Sequence, residues 1–386
     1  MSSHADFRRV IGDLVGVPPA HVTLFWRGRV ALYAILRALG IGHGDEVIVP
    51  AFTCVAVPNA ILYAGAVPVY VDIDETTYTA DVEAVAGAVG PSTRAILAQN
   101  TFGLSADLSG LAAVAARYGV ALVDDCTHGL GGTYDGRPNG TAADAAFFST
   151  QWSKPVSTGL GGIAVTRDAG LARELRALER AAAAPTVADQ ALLRAMVFAR
   201  ERVGTPRMIR AGRGTYRALG RAGVVPGSSS RAELQGPEMP PGFLTRMSDV
   251  QARLGRRRMA ALSDDVRARR AIAQRYSRWL VAHGRTPASE PPVSTHAFLR
   301  YPVRVRDRSA FLHRARRHGL DLGDWFDSPL YPIKGDLSRW GYGWGTNPVA
   351  ERVTSEIVNL PTDVSPDGGP LRLVEALLDG SVDRLR

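Results

Sequence analysis

Only two lysines occur among the 46 basic residues of this 386-residue chain, and one of them, Lys154, closes a run whose residue types could do chemistry. The run Phe147-Phe148-Ser149-Thr150-Gln151-Trp152-Ser153-Lys154 carries a short apolar strand into a polar turn, and Gly159, Gly161 and Gly162 follow. Arginine stays protonated in proteins, whereas a lysine in dry or cation-rich surroundings can shed its proton and attack a carbonyl. Upstream, Val120-Ala121-Leu122-Val123 reads as a buried strand ending in Asp124 and Asp125. Carboxylates at the carboxyl end of a strand in an open α/β sheet lie where such sheets bind ligands. His128 comes three residues later, with Gly129, Gly131 and Gly132 behind it. An acid, an imidazole, the Ser149 hydroxyl and an amine at neighbouring strand ends match the needs of pyridoxal phosphate. That cofactor takes a Schiff-base lysine, an acid that keeps the ring nitrogen protonated, and donors for its phosphate. A solvated turn with an ordinary surface lysine accounts for the same residues, and on these residues alone the two readings stand level.

The elements that must hold such a site follow from periodicity. Residues 5–15 read as an amphipathic helix and 22–25 as a short extended stretch, after which Arg27-Gly28-Arg29 opens a helix over 30–39. A glycine at a helix start lets a ligand approach the backbone, and the first N–H groups there form an anion site, although a plain helix start has the same look. Strands are expected at 46–49, 67–71, 94–98 and 120–123, with helices at 53–63, 82–89 and 108–118 between them. Strands alternating with helices of about ten residues imply parallel βαβ connections. The expected fold class is therefore α/β. A large, mostly parallel α/β/α sheet domain occupies 1–250, with a helical and loop excursion near 180–242, and a smaller C-terminal α+β domain occupies 251–386. Helices are expected at 168–180 and 187–203, and the Pro-, Gly- and Ser-rich residues 226–242 read as a mobile loop. A long helical region over 248–280 buries a stripe of Val250, Leu254, Met259 and Leu262. A strand at 297–305, a helix at 309–318 and a last helix at 371–378 complete the smaller domain. Lys334 lies in a Pro- and Gly-punctuated loop, a poor place to bury a Schiff base.

Composition narrows the function classes. Hydrophobic content of 46% with 22% charged residues fits a soluble globular protein with a sizeable core. No leader-like apolar run opens the chain, and no run approaches the roughly 18 apolar residues of a membrane span, so a cytoplasmic protein is expected. Cys54 and Cys126 are too few for a disulfide framework, and neither they nor the eight histidines have metal-binding spacing, so no metal is expected. The absence of GxGxxG after the first strand and of GxxxxGK[ST] argues against dinucleotide and P-loop chemistry. A net charge of +9 could suggest nucleic acid. The arginines, however, are interspersed with acids along helices such as 173–180 and 264–270, the pattern of a solvated helix face. No nucleic-acid partner is expected, and an anionic small substrate is compatible with the charge.

Taken together, these motifs resemble the DegT/DnrJ/StrS family, pyridoxal-phosphate aminotransferases of nucleotide-sugar and antibiotic biosynthesis. The similarity runs from Gly28-Arg29-Val30-Ala31-Leu32 through Gly44-Asp45-Glu46-Val47-Ile48-Val49-Pro50 and Pro68-Val69-Tyr70-Val71-Asp72-Ile73-Asp74. It continues through Val123-Asp124-Asp125 and Phe148-Ser149 to Lys154, then Arg246-Met247-Ser248-Asp249-Val250-Gln251-Ala252 and Leu360-Pro361. The resemblance implies the fold type I architecture of pyridoxal-phosphate transferases and a homodimer with active sites at the subunit interface. By the same resemblance Lys154 holds the cofactor and moves the proton during amino transfer, and Asp125 pairs with the pyridinium nitrogen. The resemblance makes Asp124 a structural neighbour, although the sequence does not separate the two aspartates, and it places His128 near the ring hydroxyl, where the family usually has glutamine. Ser149 and the amides of Gly28 and Arg29 bind the phosphate.

Three positions depart from the family pattern. Cys54 stands at a cofactor-contacting position where many members stack an aromatic ring, Leu160 replaces a frequent glutamate, and Leu244 replaces an asparagine just before Arg246. The segment 186–241 is also longer than its usual counterpart. The expected activity is amino transfer from glutamate or glutamine to a keto group of a nucleotide sugar or related natural-product intermediate. Retention of Lys154 favours it over another pyridoxal-phosphate reaction such as elimination, dehydration or cyclisation, and over a non-catalytic regulator on the same fold.

Overall fold

The computed structural model describes residues 2–202, 231–320, 322–365 and 368–380. The strands in chain order begin with β1 (Val22–Phe25), β2 (Glu46–Pro50), β3 (Thr53–Cys54), β4 (Val67–Val71) and β5 (Thr93–Gln99). Then come β6 (Ala121–Asp125), β7 (Thr133–Tyr134), β8 (Arg137–Pro138), β9 (Ala145–Ser149) and β10 (Gly162–Thr166). Seven of these form one sheet in the order β1-β10-β9-β6-β5-β2-β4. The run from β9 to β4 is parallel throughout, and β10 lies antiparallel to both β9 and β1.

The period of two along each strand splits the apolar residues between two faces. On one face Val47, Val49, Leu97, Val123 and Phe147 pack against α2 (Gly28–Ala38), α3 (Ala56–Tyr63) and α6 (Ala169–Ala181). On the other, Ile48, Ile96 and Leu122 meet α4 (Val82–Ala88) and α5 (Leu108–Tyr118), and Ala146, Phe148 and Ile163 meet α1 (Ser3–Val15). The result is a three-layer α/β/α unit with a mostly parallel sheet, as the alternation of strands and helices implies.

Beyond it come α7 (Val187–Arg202), α8 (Arg231–Gln235), α9 (Asp249–Met259) and α10 (Leu262–Ala282). The C-terminal part holds β11 (Ser294–Thr295), β12 (Arg300–Arg304), α11 (Arg308–Arg317), β13 (Leu330–Tyr331), α12 (Pro348–Glu356), β14 (Ile357–Pro361) and α13 (Gly369–Asp379). Strands β12 and β14 pair antiparallel, and Tyr276 and Leu280 of α10 pack with Tyr301, Val353 and Leu371. That apolar cluster also takes in Phe52, Val55 and Phe102 from the loops at the sheet's edge. Among the described residues no helix is long and apolar enough to cross a membrane.

Several elements differ from the sequence expectation for identifiable reasons. Thr53 and Cys54 open no helix. Thr53 N donates to Pro329 O at 2.9 Å and Val55 N to Tyr331 O at 2.8 Å, so this stretch is extended and pairs parallel with β13. The strand expected from 297 begins at Arg300, because Phe298 adopts a left-handed φ of 46° where Ala297 N donates to Gly103 O. The long helical region 248–280 is two helices. Ser248 and Gln251 form a capping box at the start of α9, and Asp264 and Asp265 supply the acidic first turn of α10. The expected loop 226–242 is in part the helix α8, while 226–230 lie outside the described residues. The division expected at residue 250 falls in the first turn of α9, whose Gln251 donates to Leu160 O at 2.8 Å and to Trp26 O at 3.3 Å.

The C-terminal part is fastened to the sheet by Asp72, directly after β4. Its Oδ2 accepts from Val349 N at 2.8 Å and its Oδ1 from Ala350 N at 2.7 Å, so it caps α12 in place of Asn347, whose own side chain makes no cap bond. Charged acceptors on backbone donors are among the stronger hydrogen bonds. Asp72→Ala is expected to destabilise the chain by about 2–3 kcal/mol, since two donors lose a charged partner, and a lowered urea midpoint at unchanged m-value checks it.

Candidate active site

The parallel order β5-β6-β9 brings the carboxyl ends of three strands side by side, and the residues that end them face one cavity. Gly28, Arg29, Cys54, Asp125, His128, Ser149 and Lys154 all line it. These come from the N-terminus of α2, from β3, from the end of β6 and the turn after it, and from β9 and its following turn. Gly28 permits a close approach of α2 to β9. A Cβ there would stand 2.8 Å from Ser149 Cβ, so any larger residue would push the start of α2 off the end of β9. The first N–H groups of α2 have no carbonyl in their own helix, and with the Ser149 hydroxyl they put hydrogen-bond donors at this end of the cavity.

Strand alternation separates the two aspartates. Asp125 shares the face of Val123 and lines the cavity. Asp124 turns to the opposite face, where Asn100 Nδ2 donates to its Oδ1 at 2.8 Å and Gly140 N to its Oδ2 at 2.9 Å. Burial pushes the Asp124 carboxyl up to about 6, against the pull of those donors. Burial also raises Asp125, with Thr127 N donating to its Oδ1 at 2.9 Å and the Lys154 charge opposing the rise. Lys154 is pushed down to about 8, chiefly by burial, with Arg29 adding to the fall and Cys54 and Asp125 resisting it. A lysine amine at that value is partly free at neutral pH, the state a carbonyl needs. Lys334, by contrast, is mostly exposed and pairs with Asp327 at 2.8 Å.

His128 is held neutral. Burial first, then the Lys154 and Arg300 charges, lower its proton affinity well below the usual range. Its Nδ1 accepts from Phe102 N at 3.2 Å, so the proton of the neutral ring sits on Nε2, which is a donor. The ring stacks on Trp325 at 5.1 Å, and Lys154 Nζ lies 5.4 Å from the centre of the same indole. Trp325 is clamped at both backbone groups by the buried Asn359 side chain, which accepts from Trp325 N at 2.9 Å and donates to Trp325 O.

Several groups lining the cavity or lying behind its lining escape a reading of motifs. Gln99 ends β5 and accepts from Thr53 Oγ1 at 2.5 Å while donating to Phe52 O and Thr101 Oγ1. Phe326 comes from the C-terminal part, and Glu233 of α8 ion-pairs with Arg29. The only local signal was the amide pair Gln99-Asn100 closing a strand.

The three departures find structural partners. Leu160 is buried against Trp26 and Leu193, so α7 covers the turn with an apolar plug where a glutamate would carry charge. Leu244 packs against the α2 side of the sheet core, and its carbonyl accepts from Ala183 N at 3.0 Å. Cys54 lines the cavity in a stretch pinned by β13, with Phe326 on the same cavity. Among the described residues no cluster of histidine, cysteine and acid side chains could hold a metal ion.

Residues 2–376 match the DegT/DnrJ/EryC1/StrS aminotransferase family. The chain belongs to that family. It is 30% identical over 93% of its length to dTDP-3-amino-3,4,6-trideoxy-alpha-D-glucose transaminase of Micromonospora megalomicea, spanning 84% of that protein. It is 41% identical over 44% of its length to UDP-N-acetyl-3-dehydro-alpha-D-glucosamine 3-aminotransferase of Acidithiobacillus ferrooxidans, and this match spans only 45% of that relative. The aminotransferase TlmJ from Streptoalloteichus hindustanus superposes with a TM-score of 0.76 at 26% identity, covering all of this chain and 92% of the other. The family brings with it the fold type I architecture, in which a mostly parallel sheet carries the lysine at a strand end.

A depressed amine reacts most readily once deprotonated. Acylation of Lys154 by a small anhydride, followed by peptide mass analysis, is expected to rise with pH and level off above about 8. Below that value the neutral fraction falls about tenfold per pH unit.

Proposed function

We propose that the chain transfers an amino group from glutamate or glutamine to the keto carbon of a nucleotide sugar or a related natural-product intermediate, with pyridoxal 5′-phosphate held at Lys154. The observation that carries this reading is the pairing of a depressed lysine amine with a buried acid in one cavity, Lys154 and Asp125, beside a helix start that accepts anions.

The residues fit the cofactor at each of its ends. The Lys154 amine suits an aldehyde, and the Gly28 cradle against Ser149 leaves backbone N–H groups and a hydroxyl for a phosphate. Asp125 is the acid for a ring nitrogen, and His128 Nε2–H is a donor for a ring oxygen. Pyridoxal phosphate, when bound, supplies the electron sink that stabilises negative charge on the donor's α-carbon. The protein supplies the rest. Lys154 Nζ, once free, takes and returns the proton at substrate carbon. Asp125 holds a proton opposite its carboxylate, and a cation brought against it offsets the cost of its burial. Trp325 lies against the amine and Phe326 lines the cavity beside it, apolar surface that favours the uncharged amine.

A groove of about 550 Å³ opens beyond Lys154 and carries Arg200, Arg258, Arg269 and Arg300 with Trp152 and Trp325. Arginines beside aromatic walls suit an acceptor with an anionic handle and a planar ring. This supports the nucleotide-sugar class over an uncharged acceptor. We read the working form as a homodimer, as the family resemblance implies, in the cytoplasm, with the larger and smaller domains meeting near residue 250.

The test is the absorption spectrum of the purified protein with added pyridoxal phosphate, before and after glutamate. A Schiff-base band that collapses with glutamate and, after borohydride reduction, maps to Lys154 is expected. Lys154→Ala should abolish the band, and Asp125→Asn should keep it while slowing the glutamate half-reaction by about 10²–10³-fold. A band that neither glutamate nor glutamine changes would move the assignment to another pyridoxal-phosphate reaction.

A further inference from the structure

The helix α8 brings the chain back to the start of α2. Glu233 of this helix lies between two cations at the start of α2. Its Oε1 pairs with Arg29 Nη1, and its Oε2 stands 3.7 Å from Arg27 Nη1. The carboxylate side chain is only 2% exposed and that of Arg29 8%, so the pair is shielded from bulk water and little screened by salt. The helix is fastened around it. Asn59 of α3 donates to Glu233 O at 3.0 Å and accepts from Trp340 Nε1 at 2.7 Å. Arg339 donates to Gln235 O and reaches Glu238 at 2.8 Å.

Arg29 and Arg27 both line the end of the cavity formed by Gly28 and Ser149. Guanidinium groups there would add charge-assisted bonds to a phosphate dianion. A buried carboxylate already held by the same groups opposes that gain. We infer that Glu233 is a positioning residue that competes for Arg29 and Arg27, and so weakens the grip on the cofactor's phosphate. Retention then depends on the covalent tie at Lys154, and the aminated cofactor, which lacks that tie, is held loosely between the two half-reactions. This inference rests on the cofactor reading above.

The aminated cofactor gives a noncovalent readout independent of turnover. Dissociation constants for pyridoxamine phosphate and for pyridoxamine would be measured by tryptophan fluorescence on the unaltered chain, Glu233→Gln, Arg29→Met and the double variant. Glu233→Gln is expected to bind pyridoxamine phosphate about tenfold more tightly. Pyridoxamine, which has no phosphate, should shift less than about twofold, and the gain should largely vanish in the Arg29→Met background. If Glu233→Gln does not fold, Asn59→Ala, which unfastens α8 from α3, must give the same tightening. Unchanged or weaker binding in Glu233→Gln, or an equal gain for pyridoxamine, overturns the inference and leaves the cofactor reading standing. If pyridoxal phosphate itself fails to bind the unaltered chain, the cofactor reading fails and takes this inference with it.

Discussion

Desolvation acts on Lys154 and Asp125 in opposite directions, lowering the proton affinity of the amine and raising that of the carboxyl, and the surrounding architecture keeps that desolvation in place. Neither shift belongs to a residue alone. The acid sits at the end of β6, flanked in the sheet by β5 and β9, and the amine follows the end of β9. Trp325 and Phe326, which come from a different part of the chain, form an apolar wall beside the two groups. Opening that wall would relax both groups toward their ordinary values.

The wall is itself held by polar groups. Asn359, fully buried in β14, satisfies both backbone groups of Trp325, so the indole is placed by a strand of the C-terminal part rather than by loop conformation. His128 is fixed in turn by the Phe102 amide on one edge and the indole on its face. Buried networks of this kind are rigid when every donor has an acceptor, and they specify one arrangement. On the other side of the cavity the constraint is steric, because Gly28 must lie directly on Ser149. A fixed polar clamp and a fixed close contact thus bracket the reacting groups.

Much of this is legible in the sequence because it is local. Apolar runs of four or five residues ending in Asp124-Asp125, Gln99-Asn100 or Ser149 mark the strands and their functional ends, and the parallel connections follow from the helices between them. Composition could not separate Asp124 from Asp125, yet the pleat does. Val123 packs toward α2, so Asp125 shares its face and Asp124 does not. What stayed illegible is nonlocal. Glu233 meets Arg29 from 204 residues away, Asn359 reaches Trp325 from 34 residues away across the helix α12, and β3 is a strand only because β13 pairs with it. Such contacts leave no periodicity in either partner, and propensity yields to tertiary pairing.

Two residues at the rim of the cavity are better understood with their partners than singly. Leu160 is apolar and buried, and α7 supplies Leu193 to cover it. Arg29 stands with Arg27 at the start of α2, and α8 supplies Glu233 to meet both. Each would be costly alone. A leucine turned to solvent gains nothing from burial, and a buried guanidinium without a partner carries an uncompensated charge. Together with their partners, both are satisfied. The helices α7 and α8 therefore complement the cavity, each supplying the partner that a residue at its rim requires.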